Sequence, residues 1–339
     1  ATSPLASVVE ATSTAYAQCD EYRRRVVLVK VGEHDSFALD LFTVRGGNEH
    51  RYRVYSDLAS SDAKDGALNF AGIHVPEEAP LPEIGSSLAH DDIYGLRDVR
   101  TVTPESGNWQ AQWVEKNRSY RLWMTSASDF VEASNGPGQR ELSESVRRVR
   151  YIDVVRTGEN LSSVFLAVHE PSATNGQIDS VQQIPLRYAG NNAIALKVVR
   201  GTDIYYIFHN VTQRTTIGPV TFKGDFAIVR MENNGPYEHF SVGAHYLGVN
   251  GRRVEEGRPT WNSPLTRLSE TQAQASVVAP KDWSFPGNEV QGYVRIRTDQ
   301  GWTGFHVGSL EGNVLNVERF PLPQDIHEME FPAVGYGKR

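Results

Sequence analysis

Residues 25–45 read RVVLVKVGEHDSFALDLFTVR, two runs of apolar, β-branched and aromatic residues separated by the polar segment 32–35. Each run has the length of a strand, and a short connection containing glycine and charged residues is typical of a hairpin. Gly46 and Gly47 follow the second run, and a third run begins at His50. This stretch therefore predicts an antiparallel meander of three strands.

The same pattern continues along the whole chain. Runs rich in Val, Ile, Tyr, Phe and Thr recur about every 10 to 15 residues, and helical periodicity is almost absent. Turn-forming pairs such as Asn250-Gly251 lie between them, and the polar segment 265–281 is a candidate connector. We therefore predict an all-β fold of stacked antiparallel sheets, with a large, supersandwich-like β-sandwich over residues 1–280 and a smaller C-terminal β unit over residues 281–339.

Composition narrows the range of partners. The chain has 339 residues, is 39% hydrophobic and carries a net charge of -7. No apolar run approaches the roughly 18 residues of a membrane helix, and no long basic block is available for a phosphate backbone. We therefore expect neither a membrane nor a nucleic acid as partner. The single cysteine, Cys19, cannot form an internal disulfide.

The short motifs of common enzyme classes are absent. The chain contains no G-x-S-x-G elbow, no H-E-x-x-H metal motif, no phosphate-binding loop and no dinucleotide fingerprint, and its ten histidines are dispersed. Glu170 ends an apolar run before Pro171, where a carboxylate could face a cleft or simply hold a turn. No second carboxylate for sugar hydrolysis can be named. The sequence thus predicts no catalytic residue and no metal ligand.

Asp40 is the one acidic residue inside the second run of the opening stretch. It lies between Leu39 and Leu41, so its carboxylate is expected to be at least half-buried. A buried carboxylate needs a cation and hydrogen bonds to offset its desolvation. We predict that a nearby arginine, such as Arg23 or Arg25, pairs with it.

A more specific pattern covers residues 22–29 and 35–52, which read YRRRVVLV and DSFALDLFTVRGGNEHRY. It resembles the C-terminal β region of heparinase II/III-like polysaccharide lyases, whose members carry a pattern close to Tyr-Arg-Arg, Asp-Ser-Tyr, Asp-x-Phe-x-Val-x-Gly-Gly and His-x-Tyr. Later runs, such as residues 164–171 and 222–230, are similar to later strands of that region in the same order.

The resemblance implies a parent protein that cleaves an acidic, uronate-containing polysaccharide by β-elimination. It also implies that the catalytic residues lie mainly on an N-terminal α/α toroid, and that a zinc site precedes the Tyr-Arg-Arg strand. The motifs of both are absent from this chain. We therefore expect the chain to be the β-sandwich part of such a lyase, with no catalytic residue and no cofactor of its own, zinc belonging to an upstream part. Its expected partners are acidic polysaccharide and the toroid portion.

Three residues around the Gly46-Gly47 turn are the candidates for substrate binding: Arg45, His50 and Tyr52. Arg45 and His50 flank this turn and could face a cleft, and Tyr52 belongs to the His-x-Tyr part of the same pattern. The alternative is a stand-alone carbohydrate-binding or scaffold β-sandwich module without catalysis. In either case, the resemblance implies a periplasmic or secreted bacterial protein.

Overall fold

The computed structural model describes residues 1–339 except 33–34, 57–66, 72, 75–95, 105–107, 116–117, 127, 138–147, 173–176, 187–191, 234, 257–259, 268–273, 278–292, 300, 312–313, 318–325 and 333. The described residues form twenty-five β-strands and no helix. The predicted all-β class is therefore confirmed. None of the described chain forms a helix with the length and apolar character needed to cross a membrane.

The chain forms two compact units. One, the sandwich unit, consists of Val9–Gln183 and Val199–Gly201, and the second unit consists of Ala1–Val8, Ile184–Val198 and Thr202–Arg339. The predicted boundary between residues 280 and 281 lies outside the described residues.

The first thirteen strands are β1 (Ala6–Thr12), β2 (Glu21–Lys30), β3 (Ser36–Arg45), β4 (Glu49–Ser56), β5 (Ala67–Ala71), β6 (Ile73–His74), β7 (Arg97–Pro104), β8 (Trp109–Glu115), β9 (Arg118–Met124), β10 (Phe130–Pro137), β11 (Arg148–Thr157), β12 (Ser162–Ser172) and β13 (Ser180–Gln183). A first sheet has the order β1-β2-β3-β12-β9-β8-β5, and a second has the order β4-β11-β10-β7-β6. The pairs β2–β3, β3–β12 and β12–β9 in the first sheet are antiparallel, and so is the pair β4–β11 in the second.

The two sheets pack face to face around one hydrophobic core. The first sheet contributes Phe42, Val44, Trp109, Ala111, Trp113, Leu122, Met124, Phe165 and Ala167 to it. The second sheet contributes Tyr52, Val54, Val131, Ile152 and Val154. The alternation of side chains along each strand sends one set of residues into this layer, which makes the unit a β-sandwich.

The predicted meander is confirmed for its first two strands and wrong for the third. β2 pairs with β3 along its whole length, but β4 pairs with β11 in the other sheet, and β12 takes the place beside β3. Gly46 and Gly47, with φ of 93° and 82°, lie where the chain leaves β3. After this turn, β4 buries His50, Tyr52 and Val54 from the opposite side of the core, so it joins the facing sheet.

The remaining strands are β14 (Ile194–Arg200), β15 (Asp203–Ile217), β16 (Val220–Glu232), β17 (Tyr237–Val249), β18 (Arg252–Glu256), β19 (Thr260–Arg267), β20 (Gln274–Val277), β21 (Tyr293–Thr298), β22 (Gly301–Glu311), β23 (Val314–Val317), β24 (Glu328–Pro332) and β25 (Val334–Lys338). In the second unit, β14-β15-β16-β17-β18 are neighbours in this order, and β25 also pairs with β17. Asn250 and Gly251, both at positive φ, connect β17 to β18 as their sequence predicted.

Six further strands of the second unit close on themselves, in the order β19-β20-β23-β22-β21-β24. β24 pairs back with β19, from Thr260 opposite Pro332 to Pro264 opposite Glu328. Each strand therefore has two neighbours, which leaves none of the six as a free edge.

Candidate functional site

Five polar side chains of the sandwich unit form one continuous chain of contacts, which we call the polar chain. Arg24 Nε donates to Asp40 Oδ1 over 2.9 Å, and the Tyr52 hydroxyl donates to Asp40 Oδ2 over 2.8 Å. The Tyr52 oxygen also lies 2.9 Å from Nε2 of His169, whose Nδ1 is hydrogen-bonded to the Tyr120 hydroxyl. Four of these residues lie on the first sheet and Tyr52 on the second, so the polar chain joins the two sheets.

Strand register explains why these residues meet. Residues opposite each other on paired strands point to the same face of a sheet. Asp40 lies opposite Ala167 on β12, and His169 is two residues further along that strand. On the next strand, Tyr120 lies opposite Pro171, again two residues beyond His169. All therefore share the face that packs against the second sheet, where Tyr52 completes the polar chain.

The partner of Asp40 is an arginine, as predicted, but it is Arg24 and not one of the two examples named, Arg23 and Arg25. Arg24 lies opposite Phe42, two positions from Asp40, and therefore on the same face as the carboxylate. Arg23 and Arg25 point to the other face because side chains alternate along a strand. Arg25 instead pairs with Glu10 on β1, with 2.8 Å between Nε and Oε2.

The charge of Asp40 is stabilised by its partners. Burial acts to raise the pKa of Asp40, but contacts with His169, Arg24 and Tyr52 outweigh burial and lower this pKa to about 2. Burial, with the charge of Asp40 added, raises the pKa of both Tyr52 and Tyr120. At neutral pH, Asp40 is therefore ionised and both tyrosines keep their protons.

When His169 is neutral, these protonation states fix the direction of each hydrogen bond in the polar chain. An ionised carboxylate only accepts, so Tyr52 donates its single hydroxyl hydrogen to Asp40. The Tyr52 oxygen must then accept from Nε2 of His169. A neutral imidazole has one N–H, so Nδ1 accepts and Tyr120 donates to it. With His169 neutral, all hydrogens of the polar chain thus point towards Asp40.

The polar chain reaches the surface beside an apolar strip. Val26 lies opposite Asp40, and Leu28 lies on the same face two residues further, yet 38% and 43% of their surfaces are exposed. The side chain of Arg24 is 51% exposed, and that of His169 is 18% exposed. We call Arg24, Val26, Leu28 and His169 the open strip. Within the part of the chain that the structure describes, Nη1 of Arg24 has no hydrogen-bond partner.

The structure places the three predicted substrate-binding residues in different surroundings. Arg45 is exposed at the end of β3, 3.8 Å from Asp20. His50 is buried, and its ring contacts Ser163 Oγ at 2.8 Å and the Gly46 carbonyl at 2.6 Å. Tyr52 is buried within the polar chain. Only Tyr52 therefore belongs to the site, and substrate binding by these three residues stays a prediction.

Glu170 lies in β12, where its carboxylate is fixed by hydrogen bonds and also lines a small pocket with Gln177 and Arg200. Its carboxylate accepts hydrogen bonds from Arg121 Nε at 2.8 Å and from the backbone N–H groups of Gln177 and Ile178 at 2.5 and 2.7 Å. Trp123 Nε1 lies 3.3 Å away. With four donors around it, this buried carboxylate ties Gln177 and Ile178 to β12.

Sequence reasoning missed Arg24, Tyr120 and His169 as members of the site. Tyr120 and His169 are polar residues in runs with strand composition, and Arg24 directly precedes the first run, which is the signal that could have found them. His169 directly follows the apolar run 164–168. A polar side chain on the core side of a strand needs a hydrogen-bond partner in the core. Because Asp40 needs such a partner too, His169 was a candidate for it.

Comparison with protein-family models and with curated protein sequences finds no match to this chain. Among the described residues, no group of three or more His, Cys, Asp or Glu side chains could hold a metal ion. The function is therefore inferred from the chemistry of the polar chain and the open strip.

Proposed function

We propose that this chain is the β-sandwich part of a heparinase II/III-like polysaccharide lyase, and that it binds an acidic, uronate-containing polysaccharide at the open strip. In this proposal, the chain forms one wall of the substrate cleft. An N-terminal α/α toroid portion of a longer parent, in the bacterial periplasm or outside the cell, supplies the residues that carry out β-elimination and the zinc site.

The observation that carries the binding proposal is the position of Arg24. Asp40 holds its guanidinium through Nε and Nη2, and no described residue hydrogen-bonds to Nη1 on this half-exposed side chain. Guanidinium groups are well suited to carboxylates, and one already held in place loses little conformational freedom on binding. The exposed Val26 and Leu28 offer an aliphatic surface to the apolar C–H face of a sugar ring.

Because the net charge of the chain is -7, overall electrostatic attraction does not explain the binding of a polyanion. A protein with this charge repels a polyanion at long range, so binding depends on local contacts at the open strip. A charge-assisted hydrogen bond contributes about 1.5 to 3 kcal/mol, which corresponds to at least a tenfold change in Kd. Binding through a partly exposed cation should also weaken as salt is added.

Replacing Arg24 with lysine should weaken the binding of a uronate polymer about tenfold. Lysine keeps the positive charge near Asp40, but it lacks the planar guanidinium that can donate hydrogen bonds to Asp40 and to a ligand at the same time. Titration calorimetry with alginate and polygalacturonate, with dextran as the neutral polymer, measures this. Arg23→Lys is the matched control because Arg23 lies next in sequence on the opposite face. Equal affinity of the wild-type chain for dextran, or equal losses in both variants, would contradict the assignment.

The alternative, a stand-alone carbohydrate-binding or scaffold module, also predicts binding of glycans. Incubation with uronate polymers, followed by the ultraviolet absorbance of the unsaturated product, tests for catalysis directly. Turnover by residues 1–339 alone would contradict the proposal that the catalytic residues lie elsewhere. If polymer binds without turnover, adding the toroid portion should restore elimination for a lyase part and should have no effect on a stand-alone module.

A further inference from the structure

His169 is the member of the polar chain whose side-chain type titrates between about pH 5 and 8. The groups that face it come from four strands. Tyr120 of β9 contacts Nδ1, and Tyr52 of β4 contacts Nε2. Oδ2 of Asp40, on β3, lies 3.6 Å from Nε2 of His169. Arg24, on β2, forms an ion pair with the same carboxylate.

We infer that His169 couples the binding of a carboxylate ligand at the open strip to the uptake of one proton. The inference rests on the proposed function, and it adds the pH dependence of ligand binding at the same site. The ligand class is a polymer of uronic acids, recognised by its carboxylates.

The coupling follows from the fixed directions of the hydrogen bonds. In the neutral state, the Tyr120 hydroxyl hydrogen is used by Nδ1 of His169. A proton taken from solvent onto Nδ1 makes both ring nitrogens donors. Nε2 still donates to Tyr52, but Nδ1 now donates to the Tyr120 oxygen. Tyr120 keeps its own hydrogen, which is released from the polar chain and becomes available to a ligand.

Protonation therefore changes the site in two ways. It turns the Tyr120 hydroxyl from an occupied donor into a free one, and it adds a positive charge to a side chain that is partly exposed. The neighbouring Asp40 carboxylate, 3.6 Å away, stabilises that charge. Each uronate unit of the polymer has its own carboxylate, so Arg24 and the protonated His169, both in the open strip, can bind different units.

Ligand binding and protonation must then strengthen each other. A carboxylate binds the protonated state more tightly, and by linkage the bound ligand favours protonation of His169. Above the pH at which the free site is half protonated, binding takes up one proton. The Kd is then expected to rise about tenfold for each pH unit. The Arg24 contact alone gives no such dependence, because guanidinium stays charged throughout this range.

The test is titration calorimetry of the full chain with alginate oligomers from pH 5.5 to 8, where uronate carboxylates stay ionised. Measurements in two buffers with different ionisation enthalpies give the number of protons taken up. We expect binding to take up at most one proton within this range and the Kd to rise with pH, by at most tenfold per pH unit. Dextran sulfate is the second arm, because it separates carboxylate recognition from sulfate recognition.

Three variants locate the proton. His169→Asn should remove both the proton uptake and the pH dependence, whereas His245→Asn, at an exposed position on β17, should keep both. Tyr120→Phe should weaken binding at pH 6 and should flatten the rise of the Kd with pH, because the hydroxyl is free only when His169 is protonated. Thermal melts verify that each variant is folded, and the proton count on the wild-type chain needs no variant.

Each outcome bears on a different claim. Binding of alginate with no proton uptake and a constant Kd overturns the inference and leaves the proposed function intact. Proton uptake that persists in His169→Asn overturns the assignment to His169. Tighter binding of dextran sulfate than of alginate overturns the carboxylate as ligand. A chain that binds no uronate polymer at any pH overturns both the inference and the proposed function.

Discussion

Replacing Asp40 with alanine is expected to lower the free energy of unfolding of the sandwich unit by about 3 kcal/mol at neutral pH. The carboxylate is buried and receives hydrogen bonds from Arg24 and from the Tyr52 hydroxyl. Alanine leaves that buried hydroxyl without its acceptor and removes the only negative charge of the polar chain. Arg24 is half-exposed and can turn towards solvent. The expected loss of unfolding free energy is therefore near the lower end of the range found when a buried ion pair is broken.

The loss should depend on pH in a defined direction. The folded pKa of Asp40, about 2, lies below its ordinary value of 3.8. A depressed carboxylate pKa stabilises the folded state above the unfolded pKa, and this contribution disappears as the pH falls towards 2. The wild-type chain should thus lose about 2 kcal/mol between pH 5 and pH 2 through this group, and Asp40→Ala should not.

Urea denaturation followed by tryptophan fluorescence measures both effects, because Trp113 is fully buried in the core and contacts Tyr120. Asp20→Ala is the matched control, since the side chain of Asp20 is 74% exposed in the same unit. It should change the free energy of unfolding little. Equal stability of Asp40→Ala and the wild-type chain at neutral pH would contradict a stabilising role for the polar chain.

The strands of the sandwich unit could be predicted from local sequence because their signals are local. The runs at residues 25–31 and 37–45 have strand composition, and their connection is too short for anything but a hairpin. β2 and β3 form that hairpin. The third run is also a strand, β4. Its place in the second sheet depends on pairing with β11, which is distant in sequence.

The polar chain could not be predicted, because it depends on pairing between distant strands. Asp40 meets His169 only since β3 pairs with β12, which follows it by more than a hundred residues. Composition identifies a strand and its two faces, but it does not say which remote strand lies beside it or in which register. A shift of one residue would send His169 to the opposite face. The pairing of Asp40 with Arg24 was, by contrast, within reach, since alternation along β2 excludes Arg23 and Arg25.

The position of His50 shows why the predicted substrate-binding residues separate. His50 and Tyr52 lie on the same face of β4, and both are buried. His50 contacts the turn carbonyl of Gly46, while Tyr52 reaches Asp40 deeper in the core. Their proximity in sequence to Arg45 suggested one site. The turn at Gly46 and Gly47 places Arg45 on one sheet and the other two on the facing sheet.

Replacing Gly46 with alanine is expected to lower the free energy of unfolding of the sandwich unit by about 3 kcal/mol. Its φ of 93° lies in the region that side chains rarely adopt, and an added Cβ would lie 2.5 Å from the backbone oxygen of Gln18. Cys19 Cα and Asp20 N would lie within 3.3 Å. These contacts are with backbone atoms, so no side-chain rotation can relieve them.

Gly46 also lies in the turn that connects β3 of the first sheet to β4 of the second. Replacing it should therefore also disturb the position of β4, which carries Tyr52 of the polar chain. Its N–H donates to the Leu161 carbonyl over 2.8 Å, and its own carbonyl contacts His50. Gly201→Ala separates conformational strain from collision, since Gly201 has a φ of 58° and an added Cβ there would meet no atom within 4 Å. That control should lose only about 1 kcal/mol in urea denaturation. Equal losses in the two variants would mean that backbone conformation alone, and not the close approach of residues 18–20, determines the need for glycine at the turn.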